Sequence, residues 1–255
     1  MKIVVVGSLR NIPHCPDICE RFVSRLGERI VERNHTLLTG CRGSLDKAIA
    51  ESAHNRLEVL RKDDRVQLVS YRLRDADPVF RYGTIYISGL TDWELTHPEL
   101  EVPEQIAFAH AAIFIAGSQG TFIAANWARI AGIPVLGVAQ FGGAGESLYL
   151  SEYKKVEEKY ARSIKPEEFK VLSQDTLDAD ILAQEVISLA ERIGPRVPCV
   201  FIGHGRSKLW ARLQLFLEKD LGLKTIAYES GSHVGESIIP VLESMLQQAT
   251  FAVLV

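Results

Sequence analysis

The chain has 255 residues, 47% of them hydrophobic and 24% charged, with a formal net charge of −3. This is the composition of a folded globular protein, and it excludes a disordered or low-complexity chain. The balance of 29 basic against 32 acidic residues excludes a general DNA-binding surface, and no apolar run approaches the roughly 18 residues of a membrane span.

The chain opens on Ile3-Val4-Val5-Val6 and turns at once into Gly7-Ser8, which reads as a first buried strand from Lys2 to Val6. A signal peptide would need a longer apolar stretch and a small-residue cleavage site. The four cysteines, Cys15, Cys19, Cys41 and Cys199, form no metal-site spacing, so the expectation is a cytoplasmic protein with free thiols and no bound metal.

From Pro16 to Asn34, Ile18, Phe22, Val23, Leu26, Ile30 and Val31 recur at helical spacing and predict a helix. A short strand follows at His35 to Thr39, then a helix over Ser44 to Leu60. Strands are predicted at Val66 to Tyr71 and Thr84 to Ile87. Ala111 to Ala116, Gly117 to Gly132 and Ile133 to Ala139 read as strand, helix and strand. Phe169 to Leu172 reads as a last short strand and Asp180 to Ile193 as a closing helix. Buried runs alternating with helices imply a doubly wound α/β fold, a mostly parallel sheet covered on both faces. Ligands of such sheets sit beyond the carboxyl ends of the strands, so the loops there are the places to search.

Gly194-Pro195-Arg196-Val197-Pro198 breaks the pattern, because two prolines cannot continue a helix. This divides the chain into a first domain, 1–193, and a second, 198–255. In the second, strands are expected at Cys199 to Ile202, Thr225 to Tyr228 and Phe251 to Val255. Helices are expected at Lys208 to Leu221 and Glu236 to Gln248. So few elements make a thin core, and the expectation is a domain cut short at Val255.

Four loops of the first domain are candidate ligand contacts. Gly7 directly follows a strand, where it serves either packing or ligand approach, and Ser8 and Arg10 could bond a phosphate or ribose. In the second loop Gly40 and Gly43 bracket Arg42, and Ser44 is placed to cap the next helix, whose N-terminus attracts anions. The third, Gly117-Ser118-Gln119-Gly120-Thr121, brings hydroxyls and backbone N–H groups together at a helix start, as a phosphate cradle does. No Lys-Ser/Thr pair follows, so it is not a Walker A loop. The fourth, with Gly142 and Gly143, could be a flexible flap over a ligand or a bare hinge. Ser88-Gly89 is a weaker candidate. No catalytic constellation is evident; Glu104 and Glu146 lie near candidate loops without pairing, and His110 reads as a packed or surface histidine.

On these residues the first domain resembles the SLOG superfamily, the Rossmann-like group that holds the LOG phosphoribohydrolases and nucleotide sensors. The resemblance rests on Gly7-Ser8, on Thr39-Gly40-Cys41-Arg42-Gly43 and on Gly117-Ser118-Gln119-Gly120-Thr121. LOG enzymes carry Pro-Gly-Gly-x-Gly-Thr-x-Glu-Glu at the last of these. Here Ser118 replaces a glycine and Phe122-Ile123-Ala124-Ala125 follows, so the glutamates are missing. That departure implies a sensor rather than a phosphoribohydrolase.

The second domain resembles the TIR-like domain of bacterial predicted nucleotide-binding proteins, through Pro198 to Ser207 with its His204-Gly205-Arg206 loop. The resemblance implies NAD contacts at His204, Arg206, Ser207 and Glu229, and NAD as the substrate of a complete domain. The family's catalytic glutamate would lie beyond this chain, so no catalytic residue and no required cofactor are expected within it. Together the two resemblances imply an antiphage defence effector. A nucleotide second messenger, of cyclic oligonucleotide or cyclic ADP-ribose type, would drive self-association into an oligomer or filament and switch on NAD cleavage. A non-catalytic binding or scaffolding module and a LOG-type nucleotide N-glycosidase remain alternatives.

Overall fold

The computed structural model describes residues 1–93, 101–160, 163–174, 178–194, 199–205, 208–221, 223–228, 237–249 and 251–255. The chain forms two compact units, Met1–Gly194 and Pro195–Val255.

The first unit carries a six-stranded parallel sheet: β1 (Lys2–Ser8), β2 (Thr36–Thr39), β3 (Leu68–Arg72), β4 (Thr84–Ile87), β5 (Ala111–Ala116) and β6 (Val135–Val138). The strand order is β4-β3-β2-β1-β5-β6, with every pair parallel. β1 shows why both faces must be covered. Ile3 and Val5 point into a core that holds Phe22, Leu26 and Ile30, while Val4 points the other way against Leu38 and Phe114. Alternate residues of a strand face opposite sides, so a run of valines needs helices on both.

On the first face lie α1 (Pro16–Glu32), α2 (Ser44–Val59) and α9 (Ala179–Ile193). α1 begins with Pro16 in its first turn, where the missing N–H is no loss, and buries Phe22, Val23, Leu26, Ile30 and Val31. α4 (Glu104–Ala107) and α5 (Gln119–Ile130) pack on the opposite face, with Ala124, Trp127 and Ala128 of α5 buried. α6 (Gly143–Tyr153) covers the β6 edge, and α3 (Asp64–Gln67), α7 (Val156–Tyr160) and α8 (Pro166–Phe169) are short.

Three expectations need correction. Phe169 to Leu172 is not a strand: Phe169 ends α8, and Lys170–Ser173 is a 3₁₀ turn. Pro166 at the helix start, with Glu168 accepting the Lys165 N–H, sets a helical turn, and Phe169 and Leu172 are buried from it. Val66 and Gln67 belong to α3, entered by Asp63 accepting the Arg65 N–H. The glycine-rich stretch at Gly142–Gly145 is not a flap, because α6 starts at Gly143. The crossover from β3 to β4 contains no helix. The Arg72 guanidinium takes its place by donating to the carbonyls of Leu73, Arg74 and Ala76.

The second unit is a three-stranded parallel sheet in the order β8-β7-β9, built from β7 (Cys199–Gly203), β8 (Lys224–Ala227) and β9 (Phe251–Leu254). α10 (Leu209–Lys219) and α11 (Ile238–Gln248) accompany it. Val200 and Ile202 pack with Leu217 and Ala227, and Phe201 with Val241 and Met245, so each face of β7 has a small core of its own. Among the described residues no helix is long and apolar enough to cross a membrane.

Candidate functional site

The sheet of the first unit reverses its order between β1 and β5. From β1 the chain steps outward through β2, β3 and β4, then returns to place β5 on the other side. At such a switch point the flanking loops diverge and leave a crevice beyond the strand ends. A cavity of about 260 Å³ occupies that place.

Loops after β1, β2 and β5 line it. Gly7 and Ser8 come from the first, Gly40, Arg42 and Gly43 from the second, and Ser118, Gly120 and Thr121 from the third. Three of the four loops singled out in the sequence therefore meet around one cavity. Arg10 is exposed and not on its wall; its N–H donates to the Ser8 hydroxyl. Ser44, Gly117 and Gln119 lie in the same loops but outside the lining.

The glycines divide by what surrounds them. A β-carbon on Gly7 would lie 2.0 Å from the Ile115 carbonyl oxygen, so this glycine lets β1 approach β5. Gly117 has φ +78°, and its β-carbon would meet the Thr121 Oγ1 at 2.1 Å. By contrast, a β-carbon on Gly43 or Gly120 would meet no atom of another described residue within 4 Å. Packing does not require glycine at those two positions, and both face the cavity. Gly142 and Gly143 are not on its wall. Their β-carbons would strike Pro13 and His14, and Gly117, so they support the cradle from behind.

Two of the same strand ends carry backbone strain. Ala116 and Cys41 have φ of +45° and +51°, in the left-handed region that non-glycine residues seldom occupy. At the head of α5 the carbonyl of Ser118 accepts the N–H groups of Thr121 and Phe122, and those of Gln119 and Gly120 have no intrahelical acceptor. This is the anion-attracting end of the cavity.

The head of α2 is arranged differently from the expectation. Gly43, not Ser44, is the N-cap, and the carboxylate of Asp46 caps the helix through the N–H groups of Arg42 (2.8 Å) and Gly43 (3.1 Å). Those two amides precede the helix, and it is the negative charge of the carboxylate beside the helix head that disfavours a second anion there. Asp46 is also on the cavity wall. Burial pushes its carboxyl above the ordinary carboxylate range, against the pull of the Arg42, Gly43 and Gly40 N–H groups.

Two more groups were not found from the sequence. Trp93 lines the cavity, lies under the Arg42 guanidinium at 5.2 Å, and is anchored by the Trp127 indole N–H donating to its carbonyl. Gln105 of α4 is 1% exposed, and among the described residues neither atom of its carboxamide has a partner; the Trp93 Nε1 is also buried and unpaired among them. Gln105 Nε2 and the Trp93 ring both lie 3.6 Å from where a Gly40 β-carbon would stand. An acid three residues into a helix after a glycine-bracketed turn could have pointed to Asp46. A lone tryptophan and a glutamine amid apolar neighbours carry no such signal.

The remaining candidates serve structure. Glu104 accepts from the Ser88 hydroxyl and the Gly89 N–H, fixing the loop after β4. His110 Nδ1 accepts the Lys2 N–H. Among the described residues no group of His, Cys, Asp and Glu could hold a metal ion.

In the second unit a cavity of about 560 Å³ lies at the carboxyl ends of its strands, with Gly203, His204, Tyr228 and Leu254 on its wall. His204 stacks on Trp210 with ring centroids 4.8 Å apart. Arg206, Ser207 and Glu229 lie outside the described residues.

The chain is similar to the X-ray structure of TM1055, a structural-genomics target, at 19% identity and a TM-score of 0.45. The likeness covers 58% of this chain and 80% of that one. No protein-family model matches the chain, and no curated protein matches it.

Proposed function

We propose that the first unit binds a nucleotide, with a phosphate seated at the N-terminus of α5 and the rest of the ligand held between the loops after β1 and β2. The observation that carries this is the convergence of three loops on one cavity at the β1/β5 switch point, with side-chain-free space at Gly43 and Gly120. The backbone amides and hydroxyls at the α5 end suit an anion, and Trp93 with Arg42 suits a planar base. Among the described residues Asp46 is the one carboxylate on the wall, which favours binding over hydrolysis by paired acids.

The sequence resemblances extend this reading. The ligand is a nucleotide second messenger, its binding promotes self-association, and the TIR-like second unit carries NAD contacts of a domain whose catalytic glutamate lies beyond this chain. Coupling of this kind requires the ligand to bind the assembled state more tightly than the free one.

A thermal-shift screen of the purified chain tests both levels. The panel holds cyclic di- and trinucleotides, cyclic ADP-ribose isomers, ADP-ribose, NAD and AMP, and size-exclusion chromatography follows any hit. A ligand at 100 times its Kd adds about 2.7 kcal/mol. A shift from one cyclic nucleotide together with a larger species supports the sensor. A shift from AMP alone, with no change in size, keeps nucleotide binding and removes the second-messenger role. No shift from any member removes both.

A further inference from the structure

We propose that Asp46 makes this cavity selective for ribonucleotides, its carboxylate accepting hydrogen bonds from the 2′- and 3′-hydroxyls of a single ribose. The inference rests on the nucleotide reading above and names the part of the ligand that the β2 side of the cavity recognises.

The cavity has two chemically unlike sides. The α5 end, with Ser118, Gly120 and Thr121, favours negative charge; the α2 end presents the Asp46 carboxylate, with the Arg42 guanidinium stacked on Trp93 beside it. A carboxylate repels phosphate and accepts hydrogen bonds only. What faces it must therefore donate, and the donors nearest to the phosphate of a nucleotide are its ribose hydroxyls. The spacing agrees. β2 and β5 flank β1, so their ends stand about two strand spacings, roughly 9.6 Å, apart. A sugar phosphate bridges that gap; a free phosphate does not.

Asp46 also has acceptor capacity to give. The Arg42 and Gly43 N–H groups both bond to Oδ2 and the Gly40 N–H also pulls on the carboxylate, so one or two of its roughly four lone-pair sites remain for a ligand. Gly43, beside it, leaves open space where a side chain would otherwise screen the carboxylate from the cavity. The size limits the ligand as well. At about 260 Å³ the cavity lies at or below the lower edge of the roughly 300–1,000 Å³ typical of small-molecule sites. One nucleotide unit fits, so a cyclic oligonucleotide would lodge a single residue here. If Asp46 served only as the cap of α2, the cavity would not distinguish ribose from deoxyribose.

Calorimetric titration of the full chain decides. The four ribonucleoside 5′-monophosphates identify the preferred base. The 2′-deoxy and 3′-deoxy forms of that nucleotide, and inorganic phosphate, are then compared with it. The expected result is a ribonucleotide preference of about tenfold to a hundredfold, the worth of hydrogen bonds to a charged group. D46N, which keeps an acceptor for the loop amides, should lose the preference. Equal wild-type affinity for ribose and deoxyribose forms overturns the proposal and leaves nucleotide binding intact; so does a D46N protein that keeps the preference. Should D46N fail to fold by circular dichroism, the wild-type ratio decides alone. Absence of binding by every nucleotide removes the underlying reading, and this inference with it.

Discussion

Gly117 and Gly120 stand at the head of α5, but a methyl group added to each meets different surroundings. At Gly117 it would lie 2.1 Å from the Thr121 hydroxyl on a backbone with φ +78°. Gly117→Ala should therefore destabilise the first unit by about 1–3 kcal/mol in urea unfolding. At Gly120 the added methyl meets no atom of another described residue within 4 Å and sits in a helix. Gly120→Ala should raise stability by about 0.5–1 kcal/mol, as glycine replacement in a helix does, yet weaken nucleotide binding tenfold or more. A Gly120→Ala protein of unchanged affinity would place the ligand elsewhere. Gln105 makes the converse case. Its buried carboxamide has no partner among the described residues, at a penalty of about 1–3 kcal/mol. Gln105→Leu should therefore stabilise the ligand-free protein by about 1 kcal/mol, and a loss of stability would show that the amide has a partner after all. At this scale the sequence disclosed the residues whose type is unusual for its setting, the glycines and hydroxyls after β5. Asp46, Trp93 and Gln105 are ordinary residues made important by what folds next to them.

Among the elements, α1, α2, α5 and β5 were legible because their apolar period is long and unbroken. α8 and the turn after it were not, since four apolar-rich residues fit a strand or a buried helical turn equally well. α6 was hidden by its own glycines, which are poor helix formers; the helix holds because the Ala144 N–H finds the Gly117 carbonyl and Leu148 and Tyr149 are buried. A buried ion cluster joins α5, α6 and α7. The Glu152 side chain is 0% exposed and accepts from Arg129 at 2.9 Å and Lys159 at 2.8 Å. Burial pushes its carboxyl up, but the two cations outweigh that and leave it below the ordinary value. Arg129→Met would strand half of this buried carboxylate and should cost about 3 kcal/mol by chemical denaturation. Lys159→Met should cost less, because Arg129 bonds Glu152 through two nitrogens and also holds Ser151. The pH dependence follows the same groups. Burial lowers the His110 ring below its usual 6.5, and protonation would displace the Lys2 N–H from Nδ1. A depressed folded pKa means stability present above the unfolded value and lost as pH falls through the folded one. Stability should therefore decline first below about pH 6.5, through His110 and the similarly lowered His35. It should decline again below about 4.5, as Glu104 and Glu152 protonate. His110→Gln should reduce the first step to the share of His35 and leave the second.

The two units of the whole molecule differ in how much apolar surface they bury. The first encloses two extensive clusters, one on each face of its sheet. The second buries Val200, Ile202, Leu217 and Ala227 on one face and Phe201, Val241 and Met245 on the other, and leaves Phe251 and Leu254 of β9 61% and 83% exposed. Each fully buried aliphatic or aromatic side chain contributes about 1.5–3 kcal/mol, whereas ordering the backbone costs about 1–2 kcal/mol per residue. A short unit with that ratio is marginal. The prolines at Pro195 and Pro198 marked the division in the sequence, but the imbalance between the cores depends on which faces are covered, and only the fold reveals that. Scanning calorimetry should accordingly give two transitions, the lower from Pro195–Val255 and the upper from Met1–Gly194. Residues 1–194 alone should keep the upper transition. A nucleotide seated beyond β1, β2 and β5 stabilises the unit that holds it, so saturating ligand should raise the upper midpoint while the lower one stays in place. A single transition that moves as a whole would mean that the two units unfold cooperatively. A ligand that raised only the lower midpoint would move the nucleotide site to the second unit and its cavity beside His204.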